Sequence, residues 1–310
     1  MVHGDAVVKT ALVSRPVLGP LFGITAALPA ELALTVVGAV RALTADRDVH
    51  DALAAASGIA FLVAQLARPN EPLLQDQALS ALHNLTAGDR ARQEQAAVAG
   101  TVPFLCQLGI LPQRGAVAAH AHGLAVALLC ALARGSARTR AELSAHDALS
   151  VFLHLLKDEA CQVEVLGALA AWLEADTARV ENRLAAGDAL TRIVTLIPVM
   201  SASAGENEAL CAVLAPLHRL LSVSPRLARE LAANGLMPRV LELLRRPGAK
   251  TTAPALDVLA AMLAAQPQPK ALAARFRLLP LLLPLAQGQV AVAEGVQRQA
   301  AALVQTLRDG

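Results

Sequence analysis

One stretch of the sequence, residues 136–155, contains the side chains of a phosphate-processing site. His146 and Asp147 are adjacent, and metal-dependent phosphohydrolases use such a pairing to hold an ion. Arg138 and Arg140 lie just upstream, and guanidinium groups bind phosphate oxygens well. The stretch is therefore either a catalytic site or a joint between helices that happens to contain these residue types.

A second candidate for metal chemistry is the close pair His120 and His122. On a helix, side chains two residues apart point in different directions and do not easily share an ion, and we expect a loop that enters a helix here. The four cysteines stand singly in apolar segments without a CxxC pair, and no GxSxG motif occurs. The sequence therefore predicts no catalytic residue, no metal and no cofactor, and the protein is not expected to be an enzyme.

The composition favours closely packed helices. The chain is 55% hydrophobic but only 2% aromatic, and it fills space with Ala and Leu, two strong helix formers. Its net charge of +2 is too small to favour nucleic acid. Three prolines and a glutamate interrupt the most apolar stretch, residues 16–40, which predicts buried helices and no membrane span. No signal peptide is evident, so we expect the protein in the cytoplasm or on the cytoskeleton. We also expect a monomer or weak homo-oligomer.

The sequence also repeats itself. Residues 80–108 align with residues 127–155 without a gap, and four further copies fit the same frame. Turn residues recur at positions 58, 100, 147, 188, 235 and 277, which lie 42, 47, 41, 47 and 42 residues apart. That spacing is the period of helical solenoid repeats. One such unit cannot bury its apolar faces alone, so successive units must share a core.

Each unit is predicted to contain three helices. A short first helix, such as residues 90–99, ends at a turn, and a second helix follows with a proline in its first turn at Pro103, Pro238 and Pro280. A third helix, such as residues 75–86, packs against its neighbours. The copy at 75–108, with its NLTAGD joint and AGxxPxL turn, resembles the armadillo repeat.

The armadillo resemblance implies an all-α, right-handed α-solenoid of about six repeats. We expect a single domain over residues 1–310, with a partial or capping unit at 1–28, repeats over 29–287 and a closing helix at 288–310. In this frame His146-Asp147 falls at the turn between a first and a second helix, and Asp147 is expected to cap the helix that begins at Ala148.

Arginines recur on the first helices of the predicted repeats and would form a row along one edge. The row is either a solubilising ridge or a site for an acidic partner segment or phosphopeptide. The arginines of this predicted edge are Arg92, Arg138, Arg140, Arg183 and Arg229.

The groove formed by third helices is where armadillo proteins generally bind their partners. Peptide-binding members of the family carry a Trp there, with an Asn four residues later. Mapping that pair onto this sequence gives a partner-binding groove of Ser80, Asn84, Trp172, Arg219 and Asp257. Only Asn84 matches the family residue at its place, which argues against a grip on extended peptides like that of importins or catenins. Core packing between repeats is the alternative role of Trp172.

Residues 128–194 resemble the C-terminal armadillo region of one kinase family, which contains the septation-initiation and mitotic-exit kinases and the plant mitogen-activated protein kinase kinase kinase epsilon. The features that carry this resemblance are Leu132-Ala133-Arg134, Thr139-Arg140, His146, Leu155-Leu156-Lys157-Asp158, Trp172-Leu173 and Arg179-Val180-Glu181. The sequence contains no counterpart of the glycine-rich loop, the VAIK lysine, the HRD loop or the DFG motif of a kinase domain.

The kinase-family resemblance implies a non-catalytic scaffold or regulatory module in a kinase pathway of cell division or polarity. The expected partners are proteins, either a kinase, a small GTPase or a cytoskeletal protein, and not nucleic acid or membrane. The alternative is a structural armadillo component of a cytoskeletal or ciliary assembly.

Overall fold

The computed structural model describes residues 15–25, 28–111, 115–186, 188–201, 206–248, 250–290 and 292–309. All regular secondary structure within these ranges is helical, which confirms the predicted all-α class. The chain divides into two compact units, Met1–Leu155 and Leu156–Gly310.

The first unit contains two complete three-helix repeats and parts of two others. Its third helices α2, α5 and α8 pack side by side in chain order. Its elements are α1 (Arg15–Thr25), α2 (Ala30–Thr44), a 3₁₀ turn (Arg47–Val49), α3 (His50–Ala55), α4 (Gly58–Leu66), α5 (Pro72–Thr86), α6 (Arg90–Val98), α7 (Val102–Ile110), α8 (Ala116–Ala133), α9 (Ala137–Ala145) and α10 (Ala148–Leu155).

The second unit continues the same order. Its third helices α11, α14, α17 and α20 also pack side by side. Its elements are α11 (Gln162–Ala175), α12 (Thr177–Ala185), α13 (Ala189–Ser201), α14 (Glu206–Val223), α15 (Pro225–Leu231), a π-helical turn (Ala232–Leu236), α16 (Met237–Arg245), α17 (Thr252–Ala264), α18 (Pro269–Phe276), α19 (Leu278–Ala286) and α20 (Glu294–Asp309).

In five of the six repeats a residue with left-handed backbone ends the first helix, and the predicted turn position Asp188 is not among these residues. These residues are Ser57, Gly100, Asp147, Gly235 and Arg277, with φ angles of 68°, 90°, 48°, 98° and 52°. Four of them are predicted turn positions, because a left-handed residue lets the chain reverse directly into the second helix. In the first repeat the prediction is off by one residue. Position 58 must be glycine for another reason, since a Cβ atom there would lie 2.7 Å from the Leu53 carbonyl oxygen.

Short polar residues begin several first helices. Asp89, Ser136 and Ser224 each accept a hydrogen bond from the backbone N–H three residues later, which satisfies an amide that the helix cannot pair. At the second helices, Pro103 and Pro238 lie in the first turn as predicted.

The predicted helix boundaries needed small corrections. The first helix of the second repeat ends at Val98, one residue early, and the third helix of the first repeat begins at Pro72, three residues early. The predicted closing helix at 288–310 is α20, which packs against α19 and α17 as the third helix of a sixth repeat. Of the predicted capping unit at 1–28, residues 1–14 and 26–27 lie outside the described residues, and residues 15–25 form α1. The boundaries of a single domain over 1–310 remain a prediction.

One helix in the described part of the chain, α8, is long and apolar enough to span a membrane by length and composition alone. Half of its apolar window is buried inside the protein, where it packs against α5 and α7. The stretch that the sequence marks as most membrane-like, residues 16–40, belongs to the separate helices α1 and α2.

Candidate interaction surfaces on the third helices

The predicted groove residues of the first unit lie on α5. The Asn84 side chain is half-buried, and its Nδ2 donates a hydrogen bond to Thr44 Oγ1 on α2 over 3.4 Å. Ser80 is only 7% exposed, and its hydroxyl donates to the Asp76 carbonyl oxygen over 2.8 Å. Asn84 therefore bridges adjacent third helices while part of its amide remains accessible, and Ser80 contributes little to the surface.

The neighbouring helix α8 presents small side chains on its accessible face. Ala119 and Gly123 are exposed, and Ala127 and Ala131 are half-buried. Because none of these side chains extends far from the backbone, they leave open space along the helix. His120 stands at the margin of this face, where its Nδ1 lies 2.6 Å from Asp76 Oδ1 on α5.

Trp172 of the second unit is fully buried, with 0% of its surface exposed. The burial pattern of α11 places Ala171, which is half-buried, at the position that Asn84 and Ala131 occupy in their repeats. The sequence mapping is therefore off by one residue in this repeat. Trp172 therefore packs in the core, as the alternative role predicted, and is not part of the accessible surface.

Arg219 and Asp257, the other two predicted groove residues, lie on the accessible faces of α14 and α17. Arg219 forms a two-pronged ion pair with Glu174 of α11, with N–O distances of 2.9 and 2.7 Å. Hydrogen bonding to Glu174 raises the pKa of Arg219 above its ordinary value. The Asp257 carboxylate accepts a hydrogen bond from Gln299 of α20. Both side chains thus connect third helices of successive repeats.

In the first unit, the arginines of the predicted edge form ion pairs and hydrogen bonds with other residues of this chain. Arg92 is 16% exposed in its side chain and lies 2.7 Å from Asp51 and 3.3 Å from Asp89. Arg138 reaches Glu94 over 3.4 Å, and Arg140 donates to the Gly135 carbonyl oxygen over 2.7 Å. Arg92 is therefore neutralised by this chain's own carboxylates, whereas the Arg138 side chain remains 64% exposed.

In the second unit the predicted edge residues are Arg183 and Arg229, both exposed. Arg229 donates to the Ala265 carbonyl oxygen over 3.2 Å. The first helices α12 and α15 are linked by Ser224, whose hydroxyl donates to Glu181 Oε2 over 2.8 Å. The edge in each unit therefore connects one repeat to the next, and any role in binding an acidic partner is additional to that.

We predict that Ser224→Ala lowers the free energy of unfolding by about 1–2 kcal/mol. Ser224 is fully buried, and the change removes both its bond to Glu181 and its cap on the Leu227 N–H. Urea unfolding followed by circular dichroism measures the effect. The matched control is Ser222→Ala, because Ser222 is exposed and bonds only within its own helix. A loss of about 0.5 kcal/mol or less in both variants would contradict the prediction.

The structure confirms that His146-Asp147 is a joint. His146 is exposed at the end of α9, and Asp147 has the left-handed backbone that turns the chain into α10. The Asp147 carboxylate accepts a hydrogen bond from the Ser150 hydroxyl over 2.5 Å. This bond joins Asp147 to the first turn of α10, and the predicted cap on a backbone N–H stays a prediction.

The other histidine pair lies within helix α8, so the predicted loop is wrong. An apolar run with alanine on both sides continues the helix through both histidines. His120 faces Asp76 of α5, while His122 is buried with its Nδ1 3.2 Å from the Leu108 carbonyl oxygen. The two rings therefore have separate environments.

Sequence comparison extends the kinase resemblance beyond residues 128–194. The chain is 30% identical to MAP3K epsilon protein kinase 1 of Arabidopsis thaliana over 275 residues, which is 87% of this chain and 19% of that protein. It is 30% identical to cytokinesis protein sepH of Emericella nidulans over 71% of this chain and 16% of that protein. It is 28% identical to cell division control protein 7 of Schizosaccharomyces pombe over 57% of this chain and 16% of that protein. The chain spans about a fifth of the length of the first of these relatives, and only their non-kinase region matches.

No protein-family model matches the sequence. Among solved structures, an engineered protein superposes with a TM-score of 0.70 at 17% identity, over 92% of this chain and 66% of that one. A designed armadillo repeat protein superposes with a TM-score of 0.63 at 21% identity, over 80% of this chain and 99% of that one. Another designed armadillo repeat protein, solved in complex with peptide (KR)4, superposes with a TM-score of 0.60 at 20% identity, over 75% of this chain and 92% of that one. These superpositions show the fold.

Proposed function

We propose that this chain, an armadillo-repeat protein whose homologues are these kinases, is a non-catalytic protein-interaction module that serves a kinase pathway in cell division or polarity. The observation that carries the proposal is how much of each protein the sequence match covers. It covers 87% of this chain but only the non-kinase part of the relatives. A relation to that part implies a shared role in contacts between proteins, and two relatives are named for cytokinesis and cell division.

The third helices supply the surface for this proposed role. Their accessible faces carry small residues in α8 and polar side chains in α5, α14 and α17, and the polar groups Asn84, Arg219 and Asp257 are already held by bonds to neighbouring repeats. Side chains held in this way lose less conformational entropy on binding, which favours recognition by a preformed surface. Within one unit, a protein segment laid along the third helices would meet these fixed hydrogen-bonding groups, and in the first unit it would also meet open space over the alanine and glycine of α8.

Affinity capture followed by mass spectrometry tests the proposed function. Ala131→Arg and Ala171→Arg each place a long side chain in the accessible face of a third helix, one in each unit. The matched control is Ala60→Arg, at an exposed position of the second helix α4. We expect the unmodified chain to capture kinases or their regulators, and one or both third-helix variants to lose them while the control retains them. Circular dichroism confirms that each variant is folded.

Two results would contradict the proposal. Identical sets of captured proteins for all three variants would show that the third-helix faces are not used. Capture of cytoskeletal proteins alone, together with co-sedimentation on tubulin polymers, would support the structural alternative and remove the kinase pathway.

A further inference from the structure

A groove of about 480 Å³ lies between the second helices α16 and α19 of the second unit. Its floor contains Leu241, which is buried, together with the half-buried Phe276 and Leu281. Three arginines, Arg245, Arg275 and Arg277, stand exposed around it. The groove is formed by second helices and is separate from the third-helix faces proposed above.

The positive charge around this groove is largely uncompensated. Arg245 pairs with Glu242 over 3.1 Å, and the Arg275 guanidinium lies over the Phe276 ring, 5.4 Å from its centroid. Within the described part of the chain, no carboxylate forms a salt bridge with Arg275 or Arg277. Residues 237–290 contain seven Lys and Arg but two Asp and Glu, although the whole chain carries only +2.

Arg277 is the least expected residue of the group. It ends the first helix with a φ of 52°, at a position where two other repeats have Gly100 and Gly235 and two have the shorter side chains of Ser57 and Asp147. Glycine adopts this left-handed backbone freely, whereas a residue with a Cβ atom is strained there. Strain of this kind suggests that the side chain is needed. The Arg277 side chain borders the groove and also a neighbouring one of about 410 Å³, which Lys270 lines.

We infer that the groove between α16 and α19 binds an acidic peptide segment of a partner protein. The guanidinium groups of Arg245, Arg275 and Arg277 would hold its carboxylates, because an arginine offers several N–H donors in one plane. An apolar side chain of the segment would pack on the floor of Leu241, Phe276 and Leu281. The combination of apolar floor and cationic rim favours a peptide that carries both kinds of side chain.

The probe for this site is a fluorescein-labelled synthetic peptide of alternating Asp and Glu with one central Leu, titrated with the full chain and followed by fluorescence anisotropy. We expect saturable binding that weakens at least about tenfold in Arg277→Gly. The same variant should unfold at the same temperature or a higher one, since glycine relieves the backbone strain. Loss of binding therefore cannot be attributed to misfolding. A peptide with Ser in place of Leu should bind more weakly.

The matched control is Arg298→Ala, which removes one exposed positive charge from α20 outside the groove and should change the affinity less than about twofold. Equal losses in the two variants would reduce the effect to overall charge and overturn the inference. Unchanged binding by Arg277→Gly would also overturn it. So would competition by oligouridylate that matches competition by unlabelled peptide, because the basic surface would then favour nucleic acid.

Discussion

Replacing Trp172 with alanine is expected to lower the free energy of unfolding by about 3–5 kcal/mol, the largest effect of any single change that we predict. Trp172 is the largest of the fully buried side chains and lies on α11, the helix that packs against α14. The change removes its transfer free energy and leaves a cavity that a helical stack cannot close without shifting whole helices. Urea unfolding of the full chain, followed by circular dichroism, measures the loss.

Two controls separate core packing from a role in binding. Trp172→Phe keeps an aromatic ring in the same space and should recover a large part of the stability. Ala171→Arg changes the adjacent half-buried position and should leave stability nearly intact while testing the surface. If Trp172→Ala unfolds at the same urea concentration as the unmodified chain, Trp172 does not support the core.

The repeat period made the fold predictable. Left-handed residues fall at positions 100, 147, 235 and 277 because a first helix must reverse at the same point in each unit for its neighbours to stack. A spacing of about 42–47 residues therefore predicts helix order, joints and the role of His146-Asp147 together. The error of one residue at Trp172 has a physical cause. The first helices α9 and α12 begin 40 residues apart, at Ala137 and Thr177, whereas the turn residues Asp147 and Asp188 used for the alignment lie 41 apart, and only burial shows that Ala171 takes the accessible position.

The links between repeats carry a signal that our sequence interpretation missed. Glu174 and Arg219 are 45 residues apart, Glu94 and Arg138 are 44, and Glu208 and Lys250 are 42. Opposite charges one repeat apart are therefore candidates for direct contact. The groove at Arg277 could not be predicted in this way, because it depends on how far apart α16 and α19 lie and not on any residue pattern.

Cys106 is expected to react with iodoacetamide about 100-fold more slowly at pH 8 than an ordinary thiol, because only the thiolate is nucleophilic. Burial raises the pKa of Cys106 from 9.0 to about 11, and the negative charge of Asp147 adds to the effect. Burial likewise raises the pKa of Cys161 to about 12, with further contributions from Asp158 and Glu164. Mass spectrometry of labelled peptides measures both rates, and the chain in concentrated urea is the reference.

The same raised pKa makes the folded chain less stable at alkaline pH. A thiol whose pKa is higher in the folded chain contributes stability that is complete below the unfolded pKa, near 9, and is lost as the pH rises through the folded value, about 11 for Cys106. Stability should therefore fall between these values, and fall less steeply in Cys106→Ala. Asp147→Asn keeps a residue that tolerates left-handed backbone and should raise the labelling rate of Cys106 only a few-fold. A rate close to that in urea would show instead that the charge, and not burial, suppresses this thiol.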